Sequence, residues 1–150
     1  MDATDRKILV ELQRDGKLTN AELASRVQLT PSPCLRRVRQ LEEDGFIVAY
    51  RAMLDRNALG YGFQVFVGVV LCREDRAAIE EFEQCIADLP EVLEAYRLFG
   101  EPDYLLRVGV ADVSAYERVY ANALGNLPGV ATLTSHVAMK EVKEYKGVPV

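Results

Sequence analysis

Apolar residues recur at one-turn spacing from the start of the chain. Ile8, Leu9 and Leu12 follow the polar pair Thr4-Asp5, and Asp15-Gly16 supplies residues that commonly end a helix. The pattern predicts a first helix between these two polar boundaries.

A second, shorter helical pattern begins at Thr19. Thr19 and Glu22 have the spacing of a capping box, in which each side chain satisfies a free backbone N–H of the other residue. Leu23, Ala24 and Val27 supply the apolar stripe behind them. We predict a second helix of about eight residues.

A third helix is predicted from Pro31-Ser32-Pro33, which offers a cap and a proline for the first turn, to Asp44-Gly45. Three helices with a tight turn between the last two are the arrangement of a helix-turn-helix unit. We therefore predict a winged-helix-like DNA-binding domain over residues 1–50.

Between Phe46 and Leu54 the chain becomes rich in β-branched and aromatic residues, which predicts an extended, strand-like segment. Asn57, Gly60 and Gly62 follow, and such residues are typical of turns and linkers. We place a strand and linker at residues 51–62, before a second domain.

The second half of the chain alternates strand-like and helical patterns twice. Leu89-Pro90-Glu91-Val92 and Leu127-Pro128-Gly129-Val130 each follow a helical stretch, which indicates two related halves. We predict a ferredoxin-like βαββαβ domain over residues 63–150, so that the whole chain is of the α+β class. The predicted strands are Phe63–Leu71, Val92–Phe99, Asp103–Val110 and Ala131–Met139, and the predicted helices are Arg76–Leu89 and one capped by Ser114 with Glu117 that carries apolar positions as far as Leu127.

The first of these strands is apolar on both sides. Phe63, Val65, Val67 and Val69 share one side, and Gln64, Phe66, Gly68 and Val70 share the other. Because the domain's own helices cover one side, we expect a second subunit to cover the other.

The charge is unevenly divided between the two predicted domains. The net charge is −5, yet residues 1–50 carry as many basic as acidic side chains, which leaves the acidic surplus in residues 51–150. A negative net charge is unusual for a protein that binds nucleic acid, but this asymmetry fits two domains with different partners.

No membrane or metal role is predicted. The longest apolar run, Phe63–Leu71, is much shorter than the roughly 20 residues of a membrane-spanning helix, so we expect a cytoplasmic protein. Cys34, Cys72 and Cys85 lack C-x-x-C spacing, and we predict reduced thiols, no metal site and no cofactor. Cys34, at the start of the third helix, is either a small apolar residue or a redox-active thiol activated by the helix dipole.

The third helix carries the candidate chemistry. Leu35, Val38 and Leu41 are predicted to point inward and Arg39 to lie on the flank of the helix. The opposite side carries Pro33, Arg36, Arg37 and Gln40, and guanidinium groups there can bind guanine edges or phosphates. A merely solvated polar surface is the alternative. The candidate DNA-binding residues are Arg26, Thr30, Ser32, Pro33, Arg36, Arg37 and Gln40.

The run from Leu23 to Ile47 closely resembles the Lrp/AsnC family, the leucine-responsive and asparagine regulators. The resemblance continues through Gly100-Glu101-Pro102-Asp103-Tyr104-Leu105-Leu106, Leu127–Val130 and Val137–Lys143. It implies a bacterial or archaeal, nucleoid-associated transcription regulator that binds double-stranded DNA as a homodimer, often assembles to octamers, and responds to small amino acids.

The resemblance also implies an effector site between subunits, near the turn that joins the two middle strands. Gly100 permits a close approach of the backbone, and Asp103 could accept an ammonium group. An ordinary hairpin turn explains the same two residues. The candidate effector-binding residues are Phe99, Gly100, Asp103, Tyr104, Thr134, Ser135 and His136.

Two positions depart from the family pattern. Gln28 stands in the tight turn where relatives often have glycine, so a positive φ there would cost about 1 kcal/mol. Pro102 stands where relatives often have an aromatic residue.

Two other functions stay open on the residues alone. One is an architectural protein that wraps DNA without an effector. The other is a small ferredoxin-like enzyme, although the sequence offers no nucleophile paired with a base.

Overall fold

The structure is a computed structural model that describes residues 1–73 and 75–150. The chain forms two compact units. The first comprises Met1–Met53 together with Val142–Val150, and the second comprises Leu54–Glu141.

The first unit contains three helices, α1 (Ala3–Arg14), α2 (Asn20–Arg26) and α3 (Pro31–Glu43). The capping box predicted at Thr19 is present, since the Thr19 side chain accepts from the Glu22 N–H and the Glu22 carboxylate accepts from the Thr19 N–H. Asp2 and Asp5 form a second such box at the start of α1. The helices enclose a core of Ile8, Leu9, Leu23, Ala24, Val27, Cys34 and Leu41.

The turn between α2 and α3 passes through a left-handed residue. Gln28 has a φ of 60° and is the one non-glycine residue with positive φ among the described residues. Leu29 then donates to the carbonyl of Ala24 at 2.8 Å, which closes the turn. The turn therefore keeps its tight geometry despite the absence of glycine, at the cost of backbone strain at Gln28.

The predicted strand-like segment Phe46–Leu54 forms no strand within the described residues. Its backbone does not pair with another strand among the described residues. Several of its apolar side chains are exposed, and Val48 is 91% exposed. A strand requires a neighbouring strand for its N–H and C=O groups, and the described part of this chain offers none to this segment. The expectation of a strand in this chain was wrong.

The last residues of the chain pack in the first unit, although residues 63–150 were predicted as one domain. Val148 donates to Oε1 of Gln13 at 2.8 Å and accepts from Nε2 of Gln13 at 3.1 Å. Val150 packs against the helical core. A short tail without periodicity gives no sequence signal for such docking.

The second unit has the predicted ferredoxin-like order. Its elements are β1 (Phe63–Leu71), α4 (Arg76–Ala87), β2 (Val92–Arg97), β3 (Tyr104–Val110), α5 (Val113–Asn122), a 3₁₀ turn at Leu124–Asn126, and β4 (Val130–Val137). All neighbouring strands are antiparallel, in the order β2-β3-β1-β4.

The second helix of this unit is capped differently from the prediction. Asp112 rather than Ser114 is the N-cap, and its carboxylate accepts from the Ala115 N–H at 2.7 Å. The helix also ends at Asn122, and the 3₁₀ turn carries the chain to Leu127. An Asp two residues earlier in the chain offers an equally good cap, so the sequence left this boundary ambiguous.

Both helices cover one face of the sheet, where Val65, Val67 and Val69 of β1 pack against Phe82 of α4. Strand alternation places the remaining side chains on the opposite face, hereafter the open face. The open face carries Gln64, Phe66, Gly68 and Val70 of β1, Leu105, Arg107 and Gly109 of β3, Glu94 and Tyr96 of β2, and Thr132, Thr134 and His136 of β4. Among the described residues, no helix is long and apolar enough to span a membrane.

Replacing Gln28 by glycine should stabilise the protein. Glycine adopts a φ of 60° without steric cost, so Gln28→Gly should raise the free energy of unfolding by about 0.5–1 kcal/mol, measured by urea denaturation. Gln28→Ala is the control, because alanine retains the Cβ strain. A glycine variant less stable than the alanine variant would contradict a strained turn.

Candidate nucleic-acid interface and effector site

The packing of α3 decides which of its side chains face away from the first unit. Cys34 and Leu41 are buried and Val38 packs beside them, which fixes the inward side of the helix. At about 100° per residue, Arg36 lies on the side opposite to this stripe. The outward face of α3 comprises Ser32, Arg36, Arg39 and Gln40, all exposed.

Two residues on α3 lie on a different side of the helix from the one predicted. Leu35 was expected in the core but is 39% exposed. Arg39 was placed on a flank but is exposed beside Arg36, one helical turn away. The core centres on Cys34 rather than Leu35, and this rotates the outward face towards Arg39. The i, i+3 spacing of Arg36 and Arg39 was the signal that could have identified Arg39.

Arg37 points towards α1 rather than outward. Its Nη1 lies 2.8 Å from Oδ2 of Asp2 and 2.7 Å from Oδ1 of Asp5, and only 32% of its side chain is exposed. The hydrogen bonds that Arg37 donates to Asp5 and Asp2 raise the pKa of Arg37. At about 100° of rotation from Arg36, Arg37 lies on the flank of α3 that meets the start of α1. The structure therefore does not place Arg37 with the outward-facing arginine that was predicted beside it.

The Asp2 carboxylate is strongly held in its charged form. Hydrogen bonds from the backbone of Asp5 and from the Arg37 side chain lower the pKa of Asp2 to about 2. The acidic start of α1 and the middle of α3 are thus joined by charge-assisted hydrogen bonds.

The other predicted DNA-binding residues occupy different positions around α3. Arg26 forms an ion pair with Glu11 at 3.0 Å, and Gln40 donates to Asp44 at 2.8 Å. Thr30 is the N-cap of α3 but makes no side-chain cap bond, and Pro33 is partly buried. An exposed pair such as Arg26 with Glu11 is worth about 0–1 kcal/mol, so it can be exchanged readily for a phosphate contact.

The outward face of α3 carries uncompensated positive charge. Within residues 1–73 and 75–150, neither Arg36 nor Arg39 has a carboxylate at ion-pair distance, in contrast to Arg26 and Arg37. Two guanidinium groups one turn apart can bind phosphate or the O6 and N7 acceptors of guanine.

Cys34 lies in the core of the first unit. Burial raises the pKa of the Cys34 thiol, which disfavours the thiolate. A buried thiol with a raised pKa fits a small apolar residue rather than an activated, redox-active thiol.

The turn between β2 and β3 folds against the open face. Gly100 has a φ of 126°, a conformation that side-chain-bearing residues rarely adopt, and Phe99 is fully exposed. A Cβ at Gly68 would lie 3.1 Å from Cγ of Pro102, so glycine at 68 allows the turn to approach β1 closely. Asp103 anchors the turn, because its Oδ2 accepts from the Leu71 N–H at 2.7 Å.

The predicted effector residues fall on two different faces of the sheet. Thr134 and His136 lie on the open face, opposite Gly68 and Phe66 respectively. Tyr104 and Ser135 lie on the helical face instead. The Tyr104 hydroxyl donates to Glu83 at 2.7 Å, and the Ser135 hydroxyl lies 2.6 Å from that of Tyr116.

This division follows from strand alternation, which separates neighbours such as Ser135 and His136 to opposite faces. The structure brings Thr134 and the Gly100–Asp103 turn to the open face beside Gly68. It does not bring Tyr104 or Ser135 there. No group of His, Cys, Asp and Glu suited to a metal ion occurs in the part of the chain that the structure describes.

The lowered pKa of Asp2 predicts a specific acid sensitivity. A carboxyl group with a folded-state pKa of about 2 and an ordinary value of 3.8 stabilises the fold above pH 3.8, and this stabilisation is lost as the pH falls towards 2. Asp2→Asn should therefore destabilise the protein at neutral pH, and the gap to wild type should narrow as pH decreases through this window. Urea denaturation at a series of pH values measures the gap. A gap that is independent of pH would contradict the role of the Asp2 charge.

The comparisons with known proteins match both units. Residues 64–148 match the model of the Lrp/AsnC ligand binding domain, and residues 1–48 match a winged helix-turn-helix DNA-binding model. The leucine-responsive regulatory protein of Escherichia coli K12 is 43% identical over 144 residues, which span 96% of this chain and 88% of the relative.

Solved structures of regulators agree over nearly the whole chain. A transcriptional regulator from Neisseria meningitidis, solved as an L-Met complex, has a TM-score of 0.94 and 40% identity, and the match covers 99% of this chain and 96% of that one. An AsnC family transcriptional regulator from Agrobacterium tumefaciens has a TM-score of 0.93 and 37% identity, covering 99% and 97% of the two chains. The resemblance seen in the sequence is confirmed, and this chain belongs to the Lrp/AsnC family of transcription regulators.

Proposed function

We propose that the outward face of α3 enters the major groove of double-stranded DNA and that Arg36 and Arg39 bind base edges or phosphates there. The observation that carries this proposal is the uncompensated charge of these two arginines at the centre of an exposed helix face. An α-helix fits the major groove, and arginine is the side chain that most often reads guanine.

The remaining polar residues of the first unit have supporting roles in this proposal. Ser32 and Gln40 flank the two arginines and can bind phosphate or base edges. Arg26 exchanges its Glu11 partner for a phosphate when DNA binds. Arg37 acts as a positioning residue, because its bonds to Asp2 and Asp5 fix the rotation of α3.

The second unit is proposed to bind a small amino acid beside the β2–β3 turn. The family model names this region a ligand binding domain, and a similar regulator was solved with L-Met. The turn is fixed by the Leu71–Asp103 bond and by the contact of Pro102 with Gly68. Backbone N–H groups near Gly100 are suited to a carboxylate, and the second oxygen of Asp103 is suited to an ammonium group. Thr134 and His136 would complete the site from the open face, while Tyr104 and Ser135 support it from beneath.

The open face is proposed to join two copies of the chain. Phe66 and Tyr96 expose aromatic surface on it, and Val70 and Leu105 are only partly buried. An apolar sheet face that the unit's own helices leave uncovered is suited to a second, identical face. In this arrangement the effector alters the separation of two outward α3 faces, and dimers assemble further to octamers in the cytoplasm on nucleoid DNA.

Arg36 and Arg37 should respond differently to the same substitution. Arg36→Gln should weaken binding to DNA selected by the wild-type protein by about 1–3 kcal/mol without changing the melting temperature. Arg37→Gln should lower the melting temperature, because Asp2 and Asp5 lose their partner. Fluorescence anisotropy and thermal denaturation measure the two effects. Equal losses of affinity with an unchanged melting temperature for both variants would show that Arg37 also contacts DNA.

A thermal-shift screen of the proteinogenic amino acids tests the proposed effector. A ligand that binds only the folded protein should stabilise it by about 2.7 kcal/mol at roughly a hundredfold excess over its Kd. Asp103→Asn should abolish the shift, since the amide still accepts from Leu71 but no longer pairs with an ammonium group. Asp88→Asn, at the end of α4 and outside the turn, is the matched control. No shift with any amino acid would contradict the proposed effector class.

A further inference from the structure

A single ion pair interrupts the apolar surface of the open face. Registers across the sheet align Glu94 with Arg107, Arg107 with Phe66, and Phe66 with His136, so these four residues form one row across all four strands. Within the paired, described strand positions of this face, Glu94 is the one carboxylate and Arg107 the one arginine or lysine.

The pair is linked to a third polar group. Nη2 of Arg107 donates to Oε1 of Glu94, and the Tyr96 hydroxyl donates to Oε2 of the same carboxylate at 3.2 Å. The Glu94 charge raises the pKa of Tyr96, which keeps that hydroxyl protonated as a donor. Both oxygens of Glu94 are therefore engaged, while its side chain stays 41% exposed.

Arg107 retains a donor that the described part of the chain does not satisfy. Its side chain is only 18% exposed, and its Nε is buried without an acceptor among the described residues. Covering this face with apolar groups alone would remove water from the exposed part of this ion pair without replacing it by another polar contact, which is costly. A surface that covers the face favourably must supply charged or polar groups that meet the exposed atoms of Glu94 and Arg107.

We propose that the Glu94–Arg107 pair selects which subunits associate, by pairing reciprocally between two copies across a two-fold axis. The inference rests on the proposed association of two copies through the open face. A two-fold axis gives each face both an acid and a base, so Arg107 of one copy can meet Glu94 of the other, and the reverse contact forms at the same time. A partner with a different charge pattern would place like charges together, and such contacts exclude wrong partners more effectively than they strengthen right ones.

The test exchanges the two charges within one chain. The double variant Glu94→Arg/Arg107→Glu, hereafter the swapped chain, keeps the intrachain ion pair with its two charges exchanged. Two swapped chains remain complementary to each other. A mixed dimer of wild type and swapped chain, however, would bring arginine against arginine and glutamate against glutamate. The exchange leaves the mass unchanged, so one chain carries a heavy-nitrogen label, and the chains are unfolded and refolded together before native mass spectrometry.

The swapped chain should dimerise alone, and circular dichroism should show that it is folded. Random mixing would make about half of the dimers mixed; if like charges disfavour the mixed dimer by roughly tenfold, its share falls to about a tenth. The matched control exchanges Arg76 and Glu80, an exposed ion pair on α4 at 2.6 Å, and should mix randomly with wild type.

Random mixing of wild type with the Glu94/Arg107 swap would overturn this proposal, as would a folded but monomeric swapped chain. Sorting by the Arg76/Glu80 control would also overturn it, because selection would then not depend on the open face. A wild-type chain that sediments as a monomer at micromolar concentration would instead contradict the proposed association itself, and this result is distinct from random mixing among dimers.

Discussion

The packed core of the first unit and the bonds between Arg37 and the two carboxylates at the start of α1 together set the rotation of α3 about its axis. Cys34, Val38 and Leu41 pack inward, Arg37 is held on the flank, and Arg36 and Arg39 therefore face outward. Four arginines of the first unit thus have two kinds of role. Arg26 and Arg37 pair with carboxylates at the first helix and join helices to one another, whereas Arg36 and Arg39 have no carboxylate partner among the described residues and need break no ion pair to meet DNA in the proposed function. Because exposed ion pairs are weak while partly buried ones are costly to break, the division is set by burial as much as by charge.

In the second unit, strand alternation decides which side chains face the helices and which face outward. The helices cover one face of the sheet, where the hydroxyl groups of Tyr104 and Ser135 form hydrogen bonds with Glu83 and Tyr116, respectively. The other face receives the β2–β3 turn at Gly68 and carries the Glu94–Arg107 pair. In the proposed function, ligand binding and subunit association use the same surface. A molecule bound at its margin can influence how two copies meet, which is the requirement for coupling an effector to the spacing of two α3 helices.

The order of elements was predictable from local patterns, and the side-chain partners were not. The capping box at Thr19 and the alternation along β1 identified their elements directly, and the ferredoxin-like order followed from the repeated pattern. The pairing of Arg37 required the position of α1 relative to α3, which periodicity along a single helix does not contain. The segment Phe46–Leu54 shows the same limit, since its composition favours a strand but a strand exists only beside a partner. Strand alternation alone predicts that Tyr104 and Ser135 lie on a different face of the sheet from Thr134 and His136. The sequence prediction placed all four in one site because the family motif includes them.

The base preferences of arginine variants on the outward face show whether α3 recognises DNA through this surface. Sequencing DNA selected from a random pool by wild type, Arg36→Ala and Arg39→Ala gives a preference at each position of the site. If the outward face of α3 reads DNA, at least one of these variants loses its base preference at a defined position, repeated symmetrically in two half-sites, while the remaining positions keep theirs. Unchanged preferences for both variants, with the fold intact, would contradict recognition of DNA by this face of α3.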